Sequence, residues 1–262
     1  MLLAIDVGNT NAVFAVHDGT QFVDEFRCSS DHARTADEYF VWLKHLMNHA
    51  GITGKINEVI ISSTVPRVVF NLRVLADRYF NCRALVVGKP DVEIGTPPRV
   101  DPNVGIGPDR LVNCVAGYER YGGNLIIVDF GTATTFDVAD YDGAYVGGVI
   151  APGVNISMEA FHHAAAALPH VDVTQPDKVV GTNTVGCMQS GIFWGYIGLV
   201  EGICKRIQEE RGQKMKIIGT GGLSTLFAQG TEVFDHLDTD LTVHGLVLIA
   251  SLNRKNNNGT EK

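Results

Sequence analysis

Two aspartates sit at the ends of apolar runs. Asp6 closes "LLAI" and Asp129 closes "LIIV"; each is followed by a hydrophobe, a glycine and short polar residues. After Asp6 come Gly8, Asn9, Thr10 and Asn11, and after Asp129 come Gly131, Thr132, Thr134 and Thr135. Glycine lets backbone N–H groups approach a ligand closely. The hydroxyls and amides add donors, and a carboxylate beside them can hold a hard cation directly or through water. Such a turn suits a phosphate chain and its metal, and two of them facing each other would clamp a polyphosphate between two halves. Asp and Asn also favour turns by bonding their own backbone. The matching layout of the pair is what favours a ligand over that simpler account.

Two further stretches carry candidate chemistry. In "GIGPDRLVN", residues 105–113, Pro108 suits a first helical position and places Asp109 and Arg110 in the first turn. An aspartate there stabilises the helix dipole, which would hold its pKa low. It can equally orient a hydroxyl and accept its proton late in a phosphoryl transfer, for which an ordinary carboxylate is adequate. The planar fork of Arg110 can grip an anionic or amide-bearing substrate. "IIGTGGLS", residues 217–224, is a third glycine turn after an apolar strand, where a base or ribose can lie against bare backbone.

These residues need strands and helices to hold them. "LLAIDVG", "AVFAVHD" and "QFVDEFRC" read as three strands, with "HDGTQ" as a tight Asp-Gly hairpin turn. "TADEYFVWLKHLMNHAG" has helical spacing and stops at Gly51, "EVIISST" is a short buried strand, "VPRVVFNLRVLADRYF" is a helix opened by proline, and "CRALVVG" is a strand. Residues 88–106 hold Pro90, Pro97, Pro98 and Pro102 and form a long irregular connection. A helix follows over "GPDRLVNCVAGYERYG". The second part repeats the plan: strands "NLIIVDFG", "TTFDVAD" and "AYVGGVIAPG", helices around 153–166 and 184–211, a strand "KMKIIGTGG" and a closing helix "LTVHGLVLIASLNR". The recurrence of the aspartate-glycine hairpin half a chain later favours two similarly built halves.

Composition limits the partners. The 262 residues are 45% hydrophobic, enough for a sizeable core, and the net charge of −8 argues against nucleic acid. It leaves room for a nucleotide held by backbone amides. Five dispersed cysteines without a CxxC pair predict reduced thiols and a cytoplasmic protein. No signal peptide is read at the start, no apolar run approaches the roughly 20 residues that span a bilayer, and the polar end "NRKNNNGTEK" reads as frayed.

Taken in order, the motifs resemble those of type III pantothenate kinases, in the superfamily of actin, sugar kinases, acetate kinase and heat-shock ATPases. "DVGNTN" at 6–11 resembles the first phosphate motif, "GPDR" at 107–110 the substrate motif, "DFGTATTFD" at 129–137 the second phosphate motif and "GTGG" at 219–222 the adenosine motif. "GTNTVGCMQSGIFWG" at 181–195 resembles a helix start with a substrate-contacting threonine. The resemblance implies an α/β fold of two duplicated actin-like (ribonuclease H-like) domains, mixed sheets flanked by helices, with the active-site cleft between them. The domains would span 1–117 and 118–254, with a flexible tail at 255–262.

The implied activity is a kinase moving the ATP γ-phosphate to the 4′-hydroxyl of pantothenate, the first step of coenzyme A synthesis. Asp6, Val7, Gly8, Asn9, Thr10, Asn11, Ala12 and Val13 would line the ATP phosphates, and Asp6 would hold Mg²⁺ through water. Thr132, Gly221 and Gly222 would also touch ATP, and Asp129 would bind K⁺ or NH₄⁺. Asp109 would accept the hydroxyl proton. Gly107, Pro108, Arg110 and Thr184 would contact pantothenate, and so would Val100, which stands where the family often has an aromatic. The resemblance further implies a homodimer with active sites near the subunit interface, and the glycine-rich "GIFWGYIG" with Trp194 and Tyr196 is the expected contact. No nucleic acid or membrane partner is implied.

Two rival classes stay open at this point. An actin-like phosphatase of polyphosphate or guanosine phosphates would release phosphate without an acceptor; its glutamate base has only Glu119 as a counterpart, on a helix face that reads as solvated. A nucleotide-gated binding module would bind ATP without turnover. Adjacent His162 and His163 point in different directions on a helix and read poorly as metal ligands.

Overall fold

A computed structural model of the chain describes residues 1–102, 104–164, 169 and 171–259. It divides into two compact units: residues 1–97, 101–116 and 241–259 in the first, and 98–100 with 117–240 in the second.

The first unit opens with β1 (Leu2–Val7), β2 (Asn11–His17) and β3 (Phe22–Ser29), joined as consecutive antiparallel hairpins. The β2–β3 turn forms as its Asp-Gly sequence predicts. Gly19 takes φ +114, and Asp18 Oδ1 accepts from the N–H groups of Thr20 at 2.7 Å and Gln21 at 2.9 Å. Helix α1 (Ala36–His49) starts at a capping box between Thr35 and Glu38 and stops before Gly51, whose φ is +72. Strand β4 (Glu58–Ser63) returns parallel to β1, helix α2 (Pro66–Phe80) begins with its proline, and β5 (Leu85–Val86) completes the order β3-β2-β1-β4-β5. The segment read as a strand around "CRALVVG" shrinks to those two residues.

Alternation along β1 sorts its side chains between two cores. Leu3 and Ile5 join Phe14, Tyr39, Leu43 and Leu72 under α1 and α2. Leu2 and Ala4 join Ile60 on the opposite face. That face is covered by Val112 of α3 (Pro108–Tyr121) and by Leu246 and Ile249 of α7 (Leu241–Gly259).

The second unit repeats the topology. Antiparallel β6 (Leu125–Phe130), β7 (Ala133–Ala139) and β8 (Tyr145–Pro152) are followed by α4 (Val154–Ala164), α5 (Thr184–Arg211), and β9 (Lys216–Thr220) parallel to β6. After the single-turn α6 (Ser224–Phe227), β10 (His236–Leu237) gives the order β10-β9-β6-β7-β8. Its core stacks Phe227 between Phe130 at 5.1 Å and Phe193 at 5.5 Å. Residues 165 and 166, read as part of the helix that is α4, lie outside the described residues.

Mixed sheets flanked by helices are the architecture expected. Three particulars depart from the sequence reading. The last helix, α7, follows the second half in sequence yet packs on β1 and β4, because its apolar side chains fill the open face over Leu2 and Ile60. Its helical bounds run to Gly259. The short α6 and β10 were not anticipated. Among the described residues no helix is long and apolar enough to cross a membrane.

Candidate active site

Asp6 and Asp129 occupy equivalent places in the two sheets. Each is the fifth residue of a six-residue central strand, and both strands are buried along their length except at the half-buried aspartate. Asp6 pairs in register with Val13 of β2 and Ser62 of β4, and Asp129 with Thr135 of β7 and Thr220 of β9. Each strand then ends in a turn closed by a glycine N–H: Gly8 donates to the Asn11 carbonyl at 3.0 Å, and Gly131 to the Ala133 carbonyl at 3.1 Å.

In the first unit the turn is braced from the end of β3. The Ser30 hydroxyl donates to the Gly8 carbonyl at 2.6 Å, and its N–H donates to the Thr10 carbonyl at 2.9 Å. Asn9, Thr10 and Asn11 are exposed, whereas the side chains of Val7 and Ala12 lie in the core. What Val7 and Ala12 can offer a ligand is therefore backbone. Val13 packs against the other core. A Cβ on Gly8 would meet only the Asn11 carbonyl oxygen within 4 Å, at an ordinary 3.6 Å. Nothing in the described chain requires glycine there.

Asp6 shares the α3/α7 face with Leu2 and Ala4. Burial raises its pKa from 3.8 to about 7; the Ser62 hydroxyl opposes the rise, though it makes no hydrogen bond of full geometry, and the neighbouring Asp109 carboxylate adds to it. Hairpin and α3 start are thus brought together within one unit.

Gly107, Pro108, Asp109 and Arg110 are all half-buried at the first turn of α3. Asp109 folds back over Gly107, where a Cβ would fall 2.5 Å from its Oδ1. That oxygen is inaccessible to solvent and has no hydrogen-bond partner. A low pKa was expected from the helix start; instead burial raises it, against the Arg110 amide and guanidinium, which both favour the charged form. A buried carboxylate oxygen without a donor is costly on its own. Among the described residues no cluster of three His, Cys, Asp or Glu could hold a metal ion. Asp6 beside Asp109 fits Mg²⁺ held mainly by phosphate and water oxygens, since a cation would relieve their mutual repulsion.

In the second unit the adenosine-type turn reaches the carboxylate of β6. Gly221 has φ +86, and a Cβ on it would lie 2.5 Å from Asp129 Oδ1. Gly222 has open space around it. Thr132 is half-buried, and its carbonyl lies against Gly153, where a Cβ would come within 1.9 Å. Thr184 is exposed at the first turn of α5, capped by Asn183, whose Oδ1 accepts from the Gly186 N–H at 2.8 Å. Its place comes from that cap rather than from the Asp129 group. Val100 is half-buried in the 98–100 segment.

Sequence reasoning missed Gly153 and the buried Asp137, which accepts from the Thr135 hydroxyl at 3.1 Å. The glycine after Pro152 was the available signal for the first; Asp137, two positions after Thr135 on the same face, was the signal for the second. Tyr196 is buried as packing, with its hydroxyl 2.6 Å from Ser157 Oγ. The rings of Trp194 and Phe193 meet edge to face, with centroids 5.1 Å apart. Glu119 and His162 are exposed on their helices, and the side chain of His163 lies outside the described residues.

A family model described as type III pantothenate kinase matches residues 2–206. The chain belongs to the type III pantothenate kinase family. Curated family relatives include type III pantothenate kinases from Dinoroseobacter shibae, 66% identical over 255 residues, and Ruegeria pomeroyi, 63% identical over 256. The alignments cover 97% and 98% of this chain and 100% and 99% of the relatives. The fold extends beyond the family. The activator of 2-hydroxyisocaproyl-CoA dehydratase from Clostridium difficile, solved with bound ADPNP, superposes with a TM-score of 0.55 at 10% identity, over 100% of this chain and 98% of that one. The motifs at 6–11, 107–110, 129–137 and 181–195 all fall inside the span matched by the family model.

Proposed function

We propose that the chain transfers the γ-phosphoryl group of ATP to the 4′-hydroxyl of pantothenate, the first step of coenzyme A synthesis, as a cytoplasmic homodimer. The observation that carries this reading, beside family membership, is the Asp109 carboxylate at the start of α3, neighbour to Asp6 of the first glycine turn and desolvated there.

Phosphoryl transfer passes through a loose transition state, so the protein chiefly positions the reactants and stabilises charge. The Asp109 carboxylate accepts the pantothenate hydroxyl, orients it toward phosphorus and takes its proton as the new bond forms. Its raised pKa makes it a better acceptor than an ordinary aspartate. Gly107, Pro108 and Arg110 frame the substrate, with Val100 and Thr184 as further contacts. Residues 6–13 bind the phosphates through backbone N–H groups and the exposed Asn9, Thr10 and Asn11, while Thr132, Gly221 and Gly222 touch the nucleotide. Asp6 would hold Mg²⁺ through water, and the metal would neutralise charge developing on the phosphate oxygens. Asp129 would hold K⁺ or NH₄⁺.

A coupled ADP assay tests the reading. ADP release should require pantothenate and rise with K⁺ in place of Na⁺. Release of inorganic phosphate at the same rate without any acceptor would overturn it.

A further inference from the structure

The connection between β5 and α3 makes a detour: residues 98–100 belong to the second unit, while the chain before and after them belongs to the first. One side chain fastens the detour. The Arg99 N–H donates to the Tyr145 carbonyl at 2.8 Å. Its guanidinium donates to Asp142 and, at 3.4 Å, to Asp140, and it stands 5.9 Å from the Tyr141 ring centroid. The acceptors lie on the β7–β8 turn, which is itself closed. Asp140 donates its N–H to the Ala144 carbonyl at 2.9 Å, and Gly143, at φ +84, donates to the Asp140 carbonyl at 3.0 Å.

A lone exposed ion pair fixes little. Here a planar fork engages two carboxylates on a rigid turn while the same residue's backbone is tied to a strand end. Pro97 and Pro98 stiffen the approach to residue 99 by locking φ. The orientation of residue 99 is therefore set at several points, and it dictates where the next side chain, Val100, is presented.

We propose that Arg99 is a positioning residue that holds Val100 in place for the acyl-alcohol substrate and so sets substrate affinity rather than the rate of phosphoryl transfer. The proposal rests on the pantothenate reading above. It also accounts for how a small valine can serve as a wall: a short side chain makes up in fixed placement what it lacks in ring area.

The test measures kcat and KM for pantothenate and for ATP in the full chain and in Arg99→Ala, Arg99→Lys, Val100→Ala and the Arg99→Ala/Val100→Ala double variant. Arg99→Ala should raise the pantothenate KM roughly tenfold, with kcat, the ATP KM and Tm nearly unchanged. Lysine cannot fork to two carboxylates and should restore little. Because Arg99 acts through Val100, the double variant should be no worse than the poorer single variant. An unchanged pantothenate KM, additive effects, or a parallel fall in kcat, ATP affinity and Tm would overturn the proposal. Failure of the underlying reading shows separately, as a wild-type chain that does not turn over pantothenate at all, and that result sinks both.

Discussion

At Gly8 the backbone leaves room that the protein itself does not fill. A side chain there would find ordinary contact at 3.6 Å, whereas one at Gly107 or Gly221 would strike a carboxylate oxygen at 2.5 Å. At Gly221 the positive φ and the Phe130 backbone 2.7 Å away require glycine, at Gly107 the Asp109 side chain alone crowds the position, and at Gly8 nothing in the described chain requires glycine. Gly8→Ala should therefore leave the apo protein's Tm within a degree or two yet weaken ATP binding by roughly tenfold or more. Calorimetry of both quantities on the same sample checks this; a large loss of Tm with unchanged ATP affinity would reverse the assignment. Residue types and spacing made the glycines and the carboxylates visible beforehand. Their electrostatics were not visible. Asp109 at a helix start read as a low-pKa carboxylate, and its burial, which depends on how α3 sits on the sheet, pushes the other way. Depth is a tertiary quantity, and a string of residues does not carry it.

Among the elements, the central strands were the most legible, because "LLAIDV" and "LIIVDF" share one apolar pattern and one break. Helix α1 was legible from its helical spacing and its stop at Gly51, and α5 was read over 184–211, the bounds it takes. Helix α7 was legible as a helix but not as a partner of β1, since an apolar face does not state which sheet it will cover. That partnership carries energy. Leu246 is fully buried against Leu2 and Ile60, so Leu246→Ala should destabilise the first unit by about 2–5 kcal/mol. Urea unfolding followed by hydrogen exchange would locate the loss; protection should fall in β1 and β4 and hold in β6 and β7. The two-residue β5 and β10 were hard to read for another reason: parallel edge strands this short carry almost no periodicity.

Across the whole molecule, one topology occurs twice, and in each copy the carboxylate and the glycine turn occupy the same strand position. The duplicated plan was readable from the sequence; the detour at 98–100 and the return of α7 to the first unit were not, because both depend on long-range packing. The five cysteines are free thiols, and burial pushes Cys204 up to about 12, so the fold holds without disulfides. A net charge of −8 does not stand against the proposed triphosphate binding, because backbone amides can be the donors and the balancing charge would come with the metal. The account stands or falls on Asp109. In Asp109→Asn the shape of the α3 start is kept and the proton acceptor is removed. Pantothenate-dependent kcat should drop roughly 10²–10⁴-fold while the dissociation constant for MgATP stays within about threefold. Turnover close to the wild-type rate in that variant would contradict the account.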